Sequence, residues 1–106
     1  MVFKWLFQTA EAEAFAKMLA GEFSQKCPPA AGDATPQETK KRFERARDEL
    51  VSKARQFGAT HKLGLYKKAK FSNVLKWELI DMGYDATLID ELLKTMLIAM
   101  AQKQTR

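Results

Sequence analysis

Two side chains in this 106-residue chain suit nucleophilic or acid–base chemistry, and each type occurs once: Cys27 and His61. A Cys–His pair works only where the imidazole can take the thiol proton, so the two must meet. Nothing in the spacing brings them together. Cys27 also follows a helical segment, and the negative end of a helix disfavours a thiolate. His61 reads as a loop histidine with polar contacts. The carboxylates are scattered among bases, as capping and charge-pairing groups are. No nucleophile elbow, phosphate-cradling glycine loop or dinucleotide fingerprint occurs. One Cys and one His cannot complete a four-ligand zinc site, and no acidic loop offers calcium its oxygens. The expectation is a protein that is not an enzyme, with no catalytic residues, no metal and no cofactor.

The segment from His61 to Trp77, HKLGLYKKAKFSNVLKW, has a different character. Residues 59–77 hold five lysines (Lys62, Lys67, Lys68, Lys70 and Lys76) and no acid, while the whole chain carries a net charge of +5. In one continuous helix, Tyr66, Lys70, Asn73 and Trp77 fall on one side, at i, i+4, i+7 and i+11. Such a face offers lysines for phosphates and aromatic rings for unpaired bases. The plainer alternative packs Tyr66 and Trp77 on the protein and leaves the lysines solvated. Ideal phasing sets Trp77 about 120° or more from Phe71, Leu75 and Met82, so its ring is expected at the edge of the core and partly exposed. Ile98 lies off the apolar stripe of its own segment and is a second surface candidate.

A helix-turn-helix centred on Gly83 fails on two counts. Leu79 stands where that motif wants a small residue. The helix that would read bases carries Asp85, Asp90 and Glu91 against one Lys94, and these acids repel phosphates.

The elements that must position these residues follow from apolar periodicity and end signals. Four helices are expected, at about 9–26, 36–57, 63–82 and 86–101, with no sheet. The first starts at Thr9 and buries Ala12, Phe15, Ala16, Leu19 and Phe23. Gly21, inside it, suggests close contact with a neighbour. The second opens on Thr35-Pro36-Gln37-Glu38, a capping box with proline at the first helical position. Its stripe is Phe43, Ala46, Leu50, Ala54 and Phe57, and Gly58 is its expected stop. Glu38–Arg42 and Glu49–Lys53 are spaced as i,i+4 pairs. The third aligns Phe71, Leu75, Leu79 and Met82 and ends at Gly83. The fourth is capped by Asp85 and is apolar over nearly half its circumference, from Leu88 to Met100. The apolar residues Val2 to Phe7 are expected to pack on the bundle as a separate lead-in. Residues 28–34 read as an exposed linker and 102–106 as a frayed tail.

Composition bounds the rest. The chain is 46% apolar and 29% charged, with five glycines and three prolines, which is globular and helix-rich. Its length fits one domain over 1–106. A single cysteine forbids an internal disulfide and fits a reducing compartment. The N-terminus lacks secretory-signal character, and no run approaches the roughly 20 apolar residues of a membrane span. A cytoplasmic, all-α bundle follows as the expectation. Its expected role is protein–protein interaction, with self-association included. Nucleic-acid binding through 61–77 is the alternative, and docking on a membrane surface is a weaker reading.

Overall fold

The computed structural model describes residues 2–29, 35–61 and 65–101, and of residues 2–9, 61, 65 and 66 it describes the backbone alone. Four helices run in order: α1 (Val2–Lys26), α2 (Pro36–His61), α3 (Leu65–Asp81) and α4 (Ala86–Ala101). No strand occurs among the described residues.

Local chemistry sets most of the helix ends. At the start of α2 the Thr35 amide donates to Glu38 Oε1 at 3.0 Å, and the Glu38 amide donates to Thr35 Oγ1 at 3.1 Å. The capping box is complete. Asp85 caps α4 by accepting from the Leu88 amide at 3.1 Å. Beyond α3, Gly83 takes a φ of 109°. Its amide donates to the Ile80 carbonyl at 3.0 Å, and the Tyr84 amide donates to the Leu79 carbonyl at 3.3 Å. These two bonds are a Schellman motif, whose left-handed residue favours glycine.

Other boundaries differ from expectation. The backbone is helical from Val2, so the N-terminal apolar segment is the start of α1 and not a separate lead-in. No glycine or proline interrupts residues 2–20, and Thr9 simply continues the helix. Helix α2 passes through Gly58 to His61. Gly58 is buried, and a Cβ there would lie 3.0 Å from the Met100 side chain. Its value is close approach to α4, not termination. Gly21 shows the reverse: no neighbour lies within 4 Å of the position its Cβ would take. Pro28 and Pro29 are exposed as expected, yet the Pro29 ring sits 3.7 Å from the Cβ position of Gly83. Residues 30–34, 62–64 and 102–106 lie outside the described residues.

The helices form a ring in the order α1, α2, α4, α3. α1 packs most extensively on α3, and α2 on α4. Ion pairs give the directions. Lys53 of α2 meets Glu22 of α1, and Glu49 meets Lys26, so these two helices are antiparallel. Lys70 of α3 meets Glu13 of α1, and Tyr84 beyond α3 reaches Cys27 beyond α1, so α1 and α3 run parallel. Neither pair expected within α2 forms: Glu49 and Lys53 take the interhelical partners Lys26 and Glu22, and Glu38 is held in the capping box.

The core combines Leu19, Phe23, Phe71, Leu75, Leu79, Ile89, Leu92 and Met96, each at most 2% exposed. Ala12, Ala16 and Ala20 form a fully buried line on α1, where small side chains let helix axes come close. Phe15, Phe57 and Phe71 stack at one end, with Phe15 and Phe57 centroids 4.2 Å apart. Phe43 is only half-buried against the core, and Met82 and Leu88 are exposed, contrary to their place on the expected stripes. Met82 and Leu88 lie at helix ends, where fewer neighbours are available, while Phe43 meets Phe23 edge-on at 5.9 Å on the rim of the core.

Candidate functional site

The outer face of α3 is the surface that the sequence singles out. Phe71, Leu75 and Leu79 turn inward and are fully buried. Asn73 and Trp77 face outward, and Trp77 keeps 53% of its surface exposed. A ring that large costs free energy when left in water, so its exposure is notable in a small bundle. Lys70 shares this side by register but is half-buried. Its Nζ lies 3.5 Å from Glu13 Oε2 on α1. Tyr66 occupies the next position along the strip, and its side chain lies outside the described residues.

The lysines of the basic segment are largely committed to other helices. Lys76 Nζ pairs with Asp90 on α4 at 3.3 Å and also lies over the Trp77 ring, 5.6 Å from the centroid. Lys68 Nζ donates to the Met100 carbonyl at 3.5 Å, near the negative end of α4. Lys67 is half-buried. Lys62 lies outside the described residues. The run is acid-free in sequence and yet is met by acids from α1 and α4.

Ile98, 55% exposed, stands on α4 in an open groove of about 600 Å³ with Ser72, Lys76, Lys94, Leu97 and Ala101. Trp77 does not line this groove. Lys76 stands between the two, lining the groove and covering the indole. Trp77 and Ile98 are therefore neighbouring features and do not make one pocket.

Two features escaped the periodicity. Met18 is 44% exposed beside a groove of about 360 Å³ between α1 and α2, which Phe15 and Phe57 also line. Helix α2 holds Arg42, Arg45, Arg47 and Arg55, four of the five arginines in the chain. The acids interspersed with them hide this arginine concentration in a count of net charge.

Cys27 is buried at 6% exposure. Burial pushes its thiol pKa up, and nearby Arg42 only partly offsets this. A thiol held protonated is a poor nucleophile. The side chain of His61 lies outside the described residues. Among the described residues, no three His, Cys, Asp or Glu side chains gather as a metal site, and no helix is long and apolar enough to cross a membrane. The chain matches no known protein family, curated protein or solved structure.

Proposed function

We propose that this protein is a non-enzymatic helical interaction module that binds another protein chain, a second copy of itself included, through the outer face of α3. The observation that carries this is Trp77. It is half exposed, stands outside the core stripe, and has a cation already stacked on its ring. Tryptophan is enriched among residues that dominate binding energy, particularly where charged and polar groups surround it. Asn73 and Lys70 supply that polar rim. The pairing of Lys70 with Glu13 and of Lys76 with Asp90 argues against phosphate binding at this same face.

Trp77→Ala tests the reading. The variant is expected to stay within roughly 1–2 kcal/mol of wild-type stability, as a surface change does. It is expected to lose the partners that wild-type protein captures from lysate after nuclease treatment. Sedimentation at rising concentration reports whether the partner is a second copy. Equal capture by wild type and variant, or unfolding of the variant, would remove Trp77 from any interface.

A further inference from the structure

The outer face of α2 differs from that of α3 in both charge and chemistry. Lys41, Arg45, Asp48, Ser52 and Arg55 follow one another at steps of four, three, four and three, which draws one line along the helix. That line is about 21 Å long at 1.5 Å per residue. Lys41, Arg45, Asp48 and Ser52 are exposed, and Arg55 is half-buried. Two open grooves meet along it. One, of about 700 Å³, lies between Lys26 of α1 and Arg42 and Arg45. The other, of about 410 Å³, lies between Arg47, Arg55 and Thr95 of α4. Asp48 and Ser52 line both.

The carboxylates in these grooves already have cations. Glu49 pairs with Lys26. Asp48 accepts from Arg47 Nε and Nη2 at 3.2 and 3.1 Å. Glu38 is used in the capping box. Lys41, Arg42 and Arg45, in contrast, form no ion pair among the described residues. The Nε of Arg55 is shielded from water and has no acceptor among them either. The cations in excess on this face are chiefly arginines, whose planar forks match phosphate oxygens two at a time.

We propose that this face of α2 binds the phosphodiester backbone of a nucleic acid, without reading its bases. Basic side chains spread along the helix from Lys41 to Arg55 suit a long polyanion better than a single small anion. The Ser52 hydroxyl can donate to phosphate oxygens, as such groups commonly do on nucleic acids, whereas the Thr95 hydroxyl already donates to the Glu91 carbonyl at 3.1 Å. An acidic protein segment fits less well, because protein interfaces need an apolar centre. Among the described residues, the large exposed apolar side chains are Met18, Trp77, Met82, Leu88 and Ile98, and none of them is on α2. Because α2 and α3 are diagonal in the ring, a phosphate backbone on α2 leaves Trp77 open. This site therefore stands independently of the α3 surface.

The test is fluorescence anisotropy with labelled mixed-sequence single-stranded DNA and the corresponding duplex, titrated at several salt concentrations. Binding to at least one form is expected, with log affinity falling linearly against log salt. Arg42→Ala with Arg45→Ala should reduce the slope by about 2 and weaken binding roughly 10-fold or more at low salt, with unchanged helical circular dichroism. Lys70→Ala with Lys76→Ala, and Trp77→Ala, should bind as wild type does. The arm that binds identifies single-stranded or duplex nucleic acid as the source of the phosphates. The proposal is overturned if neither DNA binds at low salt. It also falls if the double arginine variant binds like wild type, or if polyglutamate displaces the probe as well as unlabelled DNA does.

Discussion

The Tyr84 hydroxyl donates to the Cys27 carbonyl inside the protein, and its ring meets Phe23 edge-on at 5.4 Å. Burial, with a smaller contribution from Cys27, pushes its pKa from 10.0 up to about 12. The folded chain then holds this proton more tightly than the unfolded chain does. The stability it contributes is fully present below pH 10 and is lost as pH rises toward 12. Tyr84→Phe keeps the ring and removes the titration. At pH 7 the variant should be less stable by about 1–3 kcal/mol, because the Cys27 carbonyl loses its donor. Denaturant titrations from pH 7 to 12 should show that difference shrinking above pH 10. A difference constant across that range would mean the hydroxyl does not titrate as described. Sequence spacing could place Tyr84 beside a turn but could not pair it with a carbonyl 57 residues away. The same limit applies to the lysines of α3. Helical phase alone put Trp77 and Ile98 outward, because phase is a local property. The partners of Lys70 and Lys76 lie on α1 and α4, and no local rule reaches them.

At the scale of the element, chemistry within one turn was the most legible. Thr35 and Glu38 satisfy each other's amides, and Asp85 and Gly83 bound α4 and α3 as their residue types require. Thr35→Ala should destabilise by about 0.5–2 kcal/mol through loss of the N-cap bond. Pro28→Ala should be close to neutral, since Pro28 is exposed and lies outside any helix. Thermal unfolding of the two variants side by side checks the order, and a larger effect at Pro28 would reverse the account. Glycine was less legible, because its two uses look alike in sequence. Gly83 ends a helix by taking a positive φ, whereas Gly58 stays helical and admits Met100. Which use applies depends on what packs against the residue. The start of α1 was missed for a related reason. Thr9 has the chemistry of a cap, but a cap operates only where the helix actually ends.

At the scale of the whole molecule, four helices without a sheet follow from apolar spacing, but their ring order does not. Short connections suggest that consecutive helices are neighbours, yet α2 and α3 end up diagonal and meet through Phe57 and Phe71 across the core. That arrangement directs the basic face of α2 and the Trp77 face of α3 away from each other. It also fixes which side chains carry the fold. Leu75 and Leu79 are fully buried, whereas Leu88, on an equally apolar sequence stripe, is 36% exposed. A domain of this size has about 5–15 kcal/mol of net stability. Leu75→Ala or Leu79→Ala should remove about 2–5 kcal/mol of it, from lost burial and the cavity left behind. Leu88→Ala should cost well under half as much, because its side chain already meets water. Chemical denaturation of the three variants decides the point. If Leu88→Ala proves as harmful as Leu75→Ala, α4 is rotated on its axis relative to the structure described, and the groove beside Ile98 closes with it.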